Sequence, residues 1–192
     1  MLSLKGQFLV AMPDMGDERF RDTVIYLVGH GDEGAMGLVV NQSLEDMRFG
    51  DILEELELGA PNEIIRLPSR IRDRKVLRGG PVQRGRGFVL HSDDYFRDGN
   101  SYAVSEDICL TATLDVLKAI AFGDAPAQAL FALGYCGWGA GQLEDEILGN
   151  GWLTVPFDRD LLFSTPLEQR YDRALGTLGI TRASLSPAAG RA

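Results

Sequence analysis

Histidine and cysteine are scarce in this chain, with two of each in 192 residues. Cys109 and Cys136 lie in separate apolar stretches without CxxC spacing. That argues against a disulfide framework or a thiolate zinc site, and for reduced thiols that pack as small hydrophobes. His30 and His91 share no established ligand spacing. A two-histidine metal site completed by Asp93 or Asp94 is therefore set aside, and no metal or cofactor is expected. No apolar run reaches the ~20 residues of a membrane helix. Residues 8–12 are too short for the apolar core of a signal peptide, and Asp14 and Asp17 follow them. The expectation is a cytoplasmic protein that makes no use of a membrane. Also missing are GxxxxGK[ST], GxSxG, HExxH and EF-hand patterns and any paired nucleophile and base, so the familiar hydrolase and nucleotide-binding classes have no sequence support.

What is present begins with size and charge. The length suits one domain, expected over residues 1–182, with a tail of Ala, Ser and Pro at 183–192 expected to be disordered. A hydrophobic content of 45 % supports a sizeable core. The net charge of −9 argues against general attraction to nucleic acid. Its distribution is uneven, because residues 66–86 hold eight bases and only one acid, Asp73. No helix-turn-helix pattern carries those bases, so direct nucleic-acid binding is not expected. A solvated face and a local anion site both fit them.

The hydropathy pattern predicts strands at 8–12, 23–28, 37–40, 75–77, 87–91, 108–111 and 152–155. Residues 128–135 fit a helix or a strand, and the flanking Pro126 and Gly134 favour a buried strand. Helices are predicted at 49–58, with acids on the wet face, at 113–122 with Thr113 as cap, from Gly141, and at 165–178 from a Thr165 capping box. Strands in runs among about four helices indicate an α+β fold.

Glycine is plentiful, and four glycines fall within residues 134–141, just before an acidic amphipathic segment. Such a cluster marks positive φ or close backbone approach. In the helix that follows, Leu143, Ile147 and Leu148 form the expected buried stripe, with Glu146 half-buried beside it. Trp138 and Trp152 are expected as core anchors. A second glycine signal is Arg78-Gly-Gly-Pro-Val82. Its consecutive amides could face an anion beside the Arg78 fork, or the pair could simply serve a tight turn. His30, Asn41 and His91 end strands at loops, where sites gather. The expected anion pocket therefore comprises His30, Asn41, Arg78, Gly79, Gly80 and His91, with Trp138, Gln142 and Glu146 as secondary candidates. No residue is assigned a catalytic role.

Together, Leu9-Val-Ala-Met-Pro13, Gly34-Ala-Met-Gly-Leu-Val-Val-Asn41, Gly79-Gly-Pro-Val82, Phe88-Val-Leu-His91, Gly134-Tyr-x-Gly-Trp138, Gly141-Gln-Leu-Glu144 and Trp152-Leu153 resemble the AlgH (YqgE-like) family of bacterial proteins, over residues 4–180. The resemblance implies a cytosolic α+β domain with a mixed, largely antiparallel, partly barrel-like sheet flanked by helices. The family's name comes from a link to regulation of alginate synthesis, and its members are often described as transcriptional regulators. It implies no activity, cofactor or catalytic set. The leading expectation is a non-catalytic regulatory or small-anion-binding protein, with a small anion and a protein as candidate partners. The alternative is a hydrolase or transferase acting on an anionic substrate, with His30 or Glu146 as acid or base.

Overall fold

Short, mostly apolar runs form most of the ten strands among the described residues, and amphipathic segments form the longer helices. A computed structural model describes residues 3–13 and 15–185. The strands are β1 (Phe8–Ala11), β2 (Val24–Gly31), β3 (Gly34–Val39), β4 (Ser43–Arg48), β5 (Lys75–Arg78), β6 (Val82–Ser92), β7 (Ser101–Ala103), β8 (Ile108–Thr111), β9 (Ala129–Trp138) and β10 (Trp152–Val155). The helices are α1 (Phe49–Glu55), α2 (Pro61–Arg66), α3 (Ser69–Arg72), α4 (Leu114–Phe122), α5 (Gln142–Leu148), α6 (Arg159–Phe163) and α7 (Arg170–Thr177). The class is α+β, with seven α-helices among the described residues where the sequence suggested about four. The three unanticipated ones, α2, α3 and α6, have six residues or fewer, too short to show a helical period.

Although no linker interrupts the sequence, the chain clusters into two compact units. One joins the residues before Ser43 to those after Gly134, and the other is Ser43–Gly134. The boundary falls inside β9, which explains why composition gives no sign of it.

In the first unit, β10, β1, β2, β3 and the end of β9 pair in that order, each pair antiparallel. Phe8 faces both Val155 and Tyr26, and Ile25 faces Val39. Leu9, Ile25, Leu27, Trp138, Leu143 and Trp152 form one buried cluster. Helix α7 adds Tyr171, Ala174 and Leu175 to the buried set. The Tyr171 hydroxyl donates to the Ala11 carbonyl at 2.6 Å. Arg170, only 3 % exposed, donates to the carbonyls of Thr165 and Val40. Burial pushes its guanidinium pKa down to about 10.

In the second unit, β5 pairs antiparallel with β4 and parallel with the start of β9, and the order continues through β6, β8 and β7. The core there joins Phe49, Ile52 and Leu53 of α1 to Val116, Leu117 and Ile120 of α4, over Val76, Val89 and Phe131.

Several expectations are corrected. β4, β7, α2, α3 and α6 were not anticipated, because each is short and polar or lies in the basic stretch. Thr113 occupies the α4 cap position but its hydroxyl makes no cap bond. Thr165 donates to Asp160 O at 2.8 Å instead of capping the following helix. Leu148 is 80 % exposed, since α5 ends there and no next turn covers it. Of the expected tail at 183–192, residues 183–185 belong to the 3-10 helix Arg182–Leu185, and 186–192 lie outside the described residues.

Candidate functional site

The glycine cluster of the first unit builds a carboxylate cradle. Gly141, at φ 75, lets the chain turn directly into α5. That turn brings Glu146 against both indoles. Its Oε2 accepts from Trp138 Nε1 at 2.9 Å and from Trp152 Nε1 at 2.7 Å. Its Oε1 accepts from Gln142 Nε2 at 2.9 Å, and Gln142 Oε1 accepts from the Gly139 amide at 3.0 Å. The two indole rings meet edge-on, 6.0 Å apart. Every strong hydrogen-bonding group of the cradle is thus engaged within it, and it serves as a structural anchor.

The other expected residues of this unit are also occupied. The His30 side chain is 2 % exposed. The Leu4 amide donates to its Nδ1 at 3.0 Å, which leaves Nε2–H to donate to Glu144 Oε1 at 3.0 Å. Its basic nitrogen is therefore already used to hold the segment that precedes β1. Asn41 Oδ1 accepts from the Val24 amide and Nδ2 donates to Asp22 O, both at 2.8 Å, so its amide continues the strand pairing beyond β3.

In the second unit, the Gly79 amide is committed to the sheet. The Gly79 amide donates to Leu133 O at 2.8 Å, as a sheet bond. The glycines are needed for close approach: a Cβ on Gly134, at φ +76, would lie 2.5 Å from the Gly80 carbonyl oxygen. Arg78 is exposed and forms no ion pair with any described residue.

His91 is fully buried, at 0 % exposure. Its Nδ1–H must donate to the Ser92 carbonyl at 2.8 Å, because a carbonyl only accepts. Nε2 then accepts from the Thr111 hydroxyl at 2.8 Å, and Thr111 in turn accepts from Ser101 at 2.8 Å. Desolvation lowers the His91 pKa, against the Ser92 bond and the Asp94 charge, which raise it. The relay has the order of a hydroxyl–imidazole pair, with both Thr111 and His91 at 0 % exposure. Cys136 is equally inert, its pKa pushed up to about 12 by burial.

Within each unit the expected residues stand apart. Asn41 bonds to the first residue of β2, and His30 lies six residues further along it, roughly 20 Å at about 3.3 Å per residue. The amide of Ser92, next to His91, bonds to Gln128 O just ahead of β9, whereas Arg78 faces Leu133, five residues on. Among the described residues no three His, Cys, Asp or Glu side chains group as metal ligands.

The sequence reading missed a cavity of about 410 Å³ in the second unit. Ile52, Val89, Leu117, Phe131 and Leu133 supply most of its apolar wall. Glu55, Arg84, Thr111 and Thr113 are the polar members of its lining. The Thr113 hydroxyl oxygen is buried and has no hydrogen-bond partner. Neither Glu55 nor Arg84 pairs with any described residue, although both line one space. The available sequence signal was Arg84-Gly-Arg-Gly87. Gly85 and Gly87 both line the cavity, and a Cβ on Gly85 would meet nothing within 4 Å.

Comparison with known proteins places this arrangement in a family. An AlgH-like family model matches residues 8–183, and the chain belongs to that family. It is similar to a UPF0301 protein of Mesorhizobium japonicum, 57 % identical over 189 residues, covering 98 % of this chain and 93 % of the relative. It is also similar to the solution structure of the AlgH protein from Pseudomonas aeruginosa, with 41 % identity and a TM-score of 0.78, over 99 % of this chain and 96 % of that one. A crystal structure of a protein from Corynebacterium diphtheriae, 17 % identical, shares the fold with a TM-score of 0.64, over 91 % of this chain and 86 % of that one. Among the described residues no helix is long and apolar enough to cross a membrane.

Proposed function

We propose that this AlgH-like chain is a non-catalytic cytoplasmic binding protein, in which a small molecule enters the cavity of the Ser43–Gly134 unit and alters association with a protein partner. The observation that carries this reading is the cavity itself: about 410 Å³, walled mainly by apolar side chains, with few polar groups and one buried hydroxyl left without a partner. Small-molecule sites commonly combine these features. Arg84 would supply the contact to an anionic group, a role the sequence reading gave to Arg78. The hydrolase or transferase alternative finds no support, because His30, His91 and Glu146 are committed to internal hydrogen bonds.

Titration with anilinonaphthalene sulfonate, an apolar anion, tests the reading by fluorescence. The expected result is saturable binding to the native protein, abolished by Leu133→Trp with the urea midpoint checked for retained folding. Absence of saturable binding, or equal binding by the folded variant, would overturn it.

A further inference from the structure

The polar members of the cavity lining narrow the class of ligand. One base, Arg84 on β6, and one acid, Glu55 at the end of α1, face the same space without pairing with each other or with any other described residue. A purely anionic ligand would satisfy Arg84 and be repelled by Glu55, and a cation would meet the reverse. Full complementarity requires a ligand that carries both charges next to an apolar body. The Thr113 hydroxyl, buried at the same lining and unpartnered, can both donate and accept. The apolar wall, with Phe131 and Leu117 in it, suits an aromatic or branched aliphatic side chain.

We infer that the cavity takes an amphipathic zwitterion, of which an apolar α-amino acid is the simplest form. Its carboxylate faces Arg84, its ammonium group faces Glu55, and its side chain occupies the apolar interior. The inference rests on the reading of this cavity as the binding site and adds the charge pattern of the ligand.

Three probes of matched body separate the outcomes: phenylalanine, phenylpropanoate, which lacks the ammonium group, and phenethylamine, which lacks the carboxylate. Backbone amide shifts of Thr113, Leu114 and Gly85 in the full chain report binding. Phenylalanine is expected to bind about fivefold more tightly than either analogue, the gain of one further solvent-exposed ion pair at its upper range. Glu55→Gln should remove that advantage over phenylpropanoate and leave phenylpropanoate binding unchanged or improved. Arg84→Gln should weaken phenylalanine and phenylpropanoate alike. Phenylpropanoate binding as tightly as phenylalanine, or Glu55→Gln without effect on phenylalanine, would overturn the zwitterion and leave a simple anion site. If no probe shifts those amides and none displaces anilinonaphthalene sulfonate, the zwitterion is refuted. Saturable dye binding lost in Leu133→Trp would still uphold the cavity as a site, and its absence would refute that reading too.

Discussion

The two units differ in what their interiors enclose. In the first, Arg170, Tyr171, His30 and Glu146 each reach a named partner, and a single carboxylate accepts from three side-chain donors. In the second, the interior keeps a cavity, and the hydroxyls of Thr113, Tyr95 and Ser105 stay without one. A buried polar group left unmatched costs on the order of 1–3 kcal/mol. Sites that bind tend to show such local conflict, while scaffolds tend to be internally consistent. The unpartnered Thr113 hydroxyl beside the cavity fits the binding role proposed for the second unit.

The sharpest way to break that contrast is at a positive-φ glycine of the second unit that lies close to backbone. Gly134→Ala should cost on the order of 3–5 kcal/mol or prevent folding, because the new Cβ meets the Gly80 carbonyl at positive φ. Gly139→Ala, whose Cβ would find only the Gln142 side chain at 3.9 Å, should change the urea midpoint little. Equal effects would mean that the second unit is not tightly built at its edge. Next in size, Glu146→Gln can keep an amide oxygen toward the two indoles but loses the carboxylate charge and turns an NH2 group toward the Gln142 amide nitrogen. It should cost about 2 kcal/mol, with altered tryptophan fluorescence. A silent substitution would show that the cradle bonds add nothing to the stability of the first unit.

The third test concerns pH. Burial holds the His91 pKa below its ordinary value, so the unfolded chain takes up the proton first as pH falls. The stability contributed by neutral His91 is complete above the unfolded histidine pKa of about 6.5 and declines below it, by at most about 1.4 kcal/mol per pH unit. Urea midpoints measured downward from about pH 8, together with imidazole nitrogen shifts near pH 6, check it. An imidazolium signal in the folded protein at that pH would contradict the relay. The smallest effect compares two valines. Val89→Leu extends into the cavity and should be neutral or stabilising by up to about 1 kcal/mol, whereas Val10→Leu overpacks a filled core and should cost about 1–3 kcal/mol. Thermal unfolding of both variants decides it, and an equal penalty would deny the cavity its space.

Much of the fold was legible because it rests on local signals. Residues 108–111 and 152–155 match β8 and β10 to the residue, and Thr113 and Gly123 bracket α4 as expected. The ambiguous segment at 128–135 is a strand, as its flanking Pro and Gly suggested. Trp138 and Trp152 are core residues, and Glu146 is half-buried between them. The candidate site was less legible. Polar residues at strand ends look alike whether they face a ligand or a backbone amide, and only pairing distinguishes Asn41 and His30 as internal ties. The glycines at 79 and 134 announced close approach correctly, but sequence could not say that they approach each other. A cavity is a property of volumes contributed by Ile52, Leu117 and Phe131 together, and no local pattern encodes it.

The pairing of β1 with β10 sets a schedule during synthesis. Phe8 waits for Val155, so the first unit stays incomplete until most of the chain has left the ribosome. The Ser43–Gly134 stretch is contiguous, so it can assemble while the remainder is still being translated. The half that carries the cavity is thus born first, and the half that begins the chain is finished last.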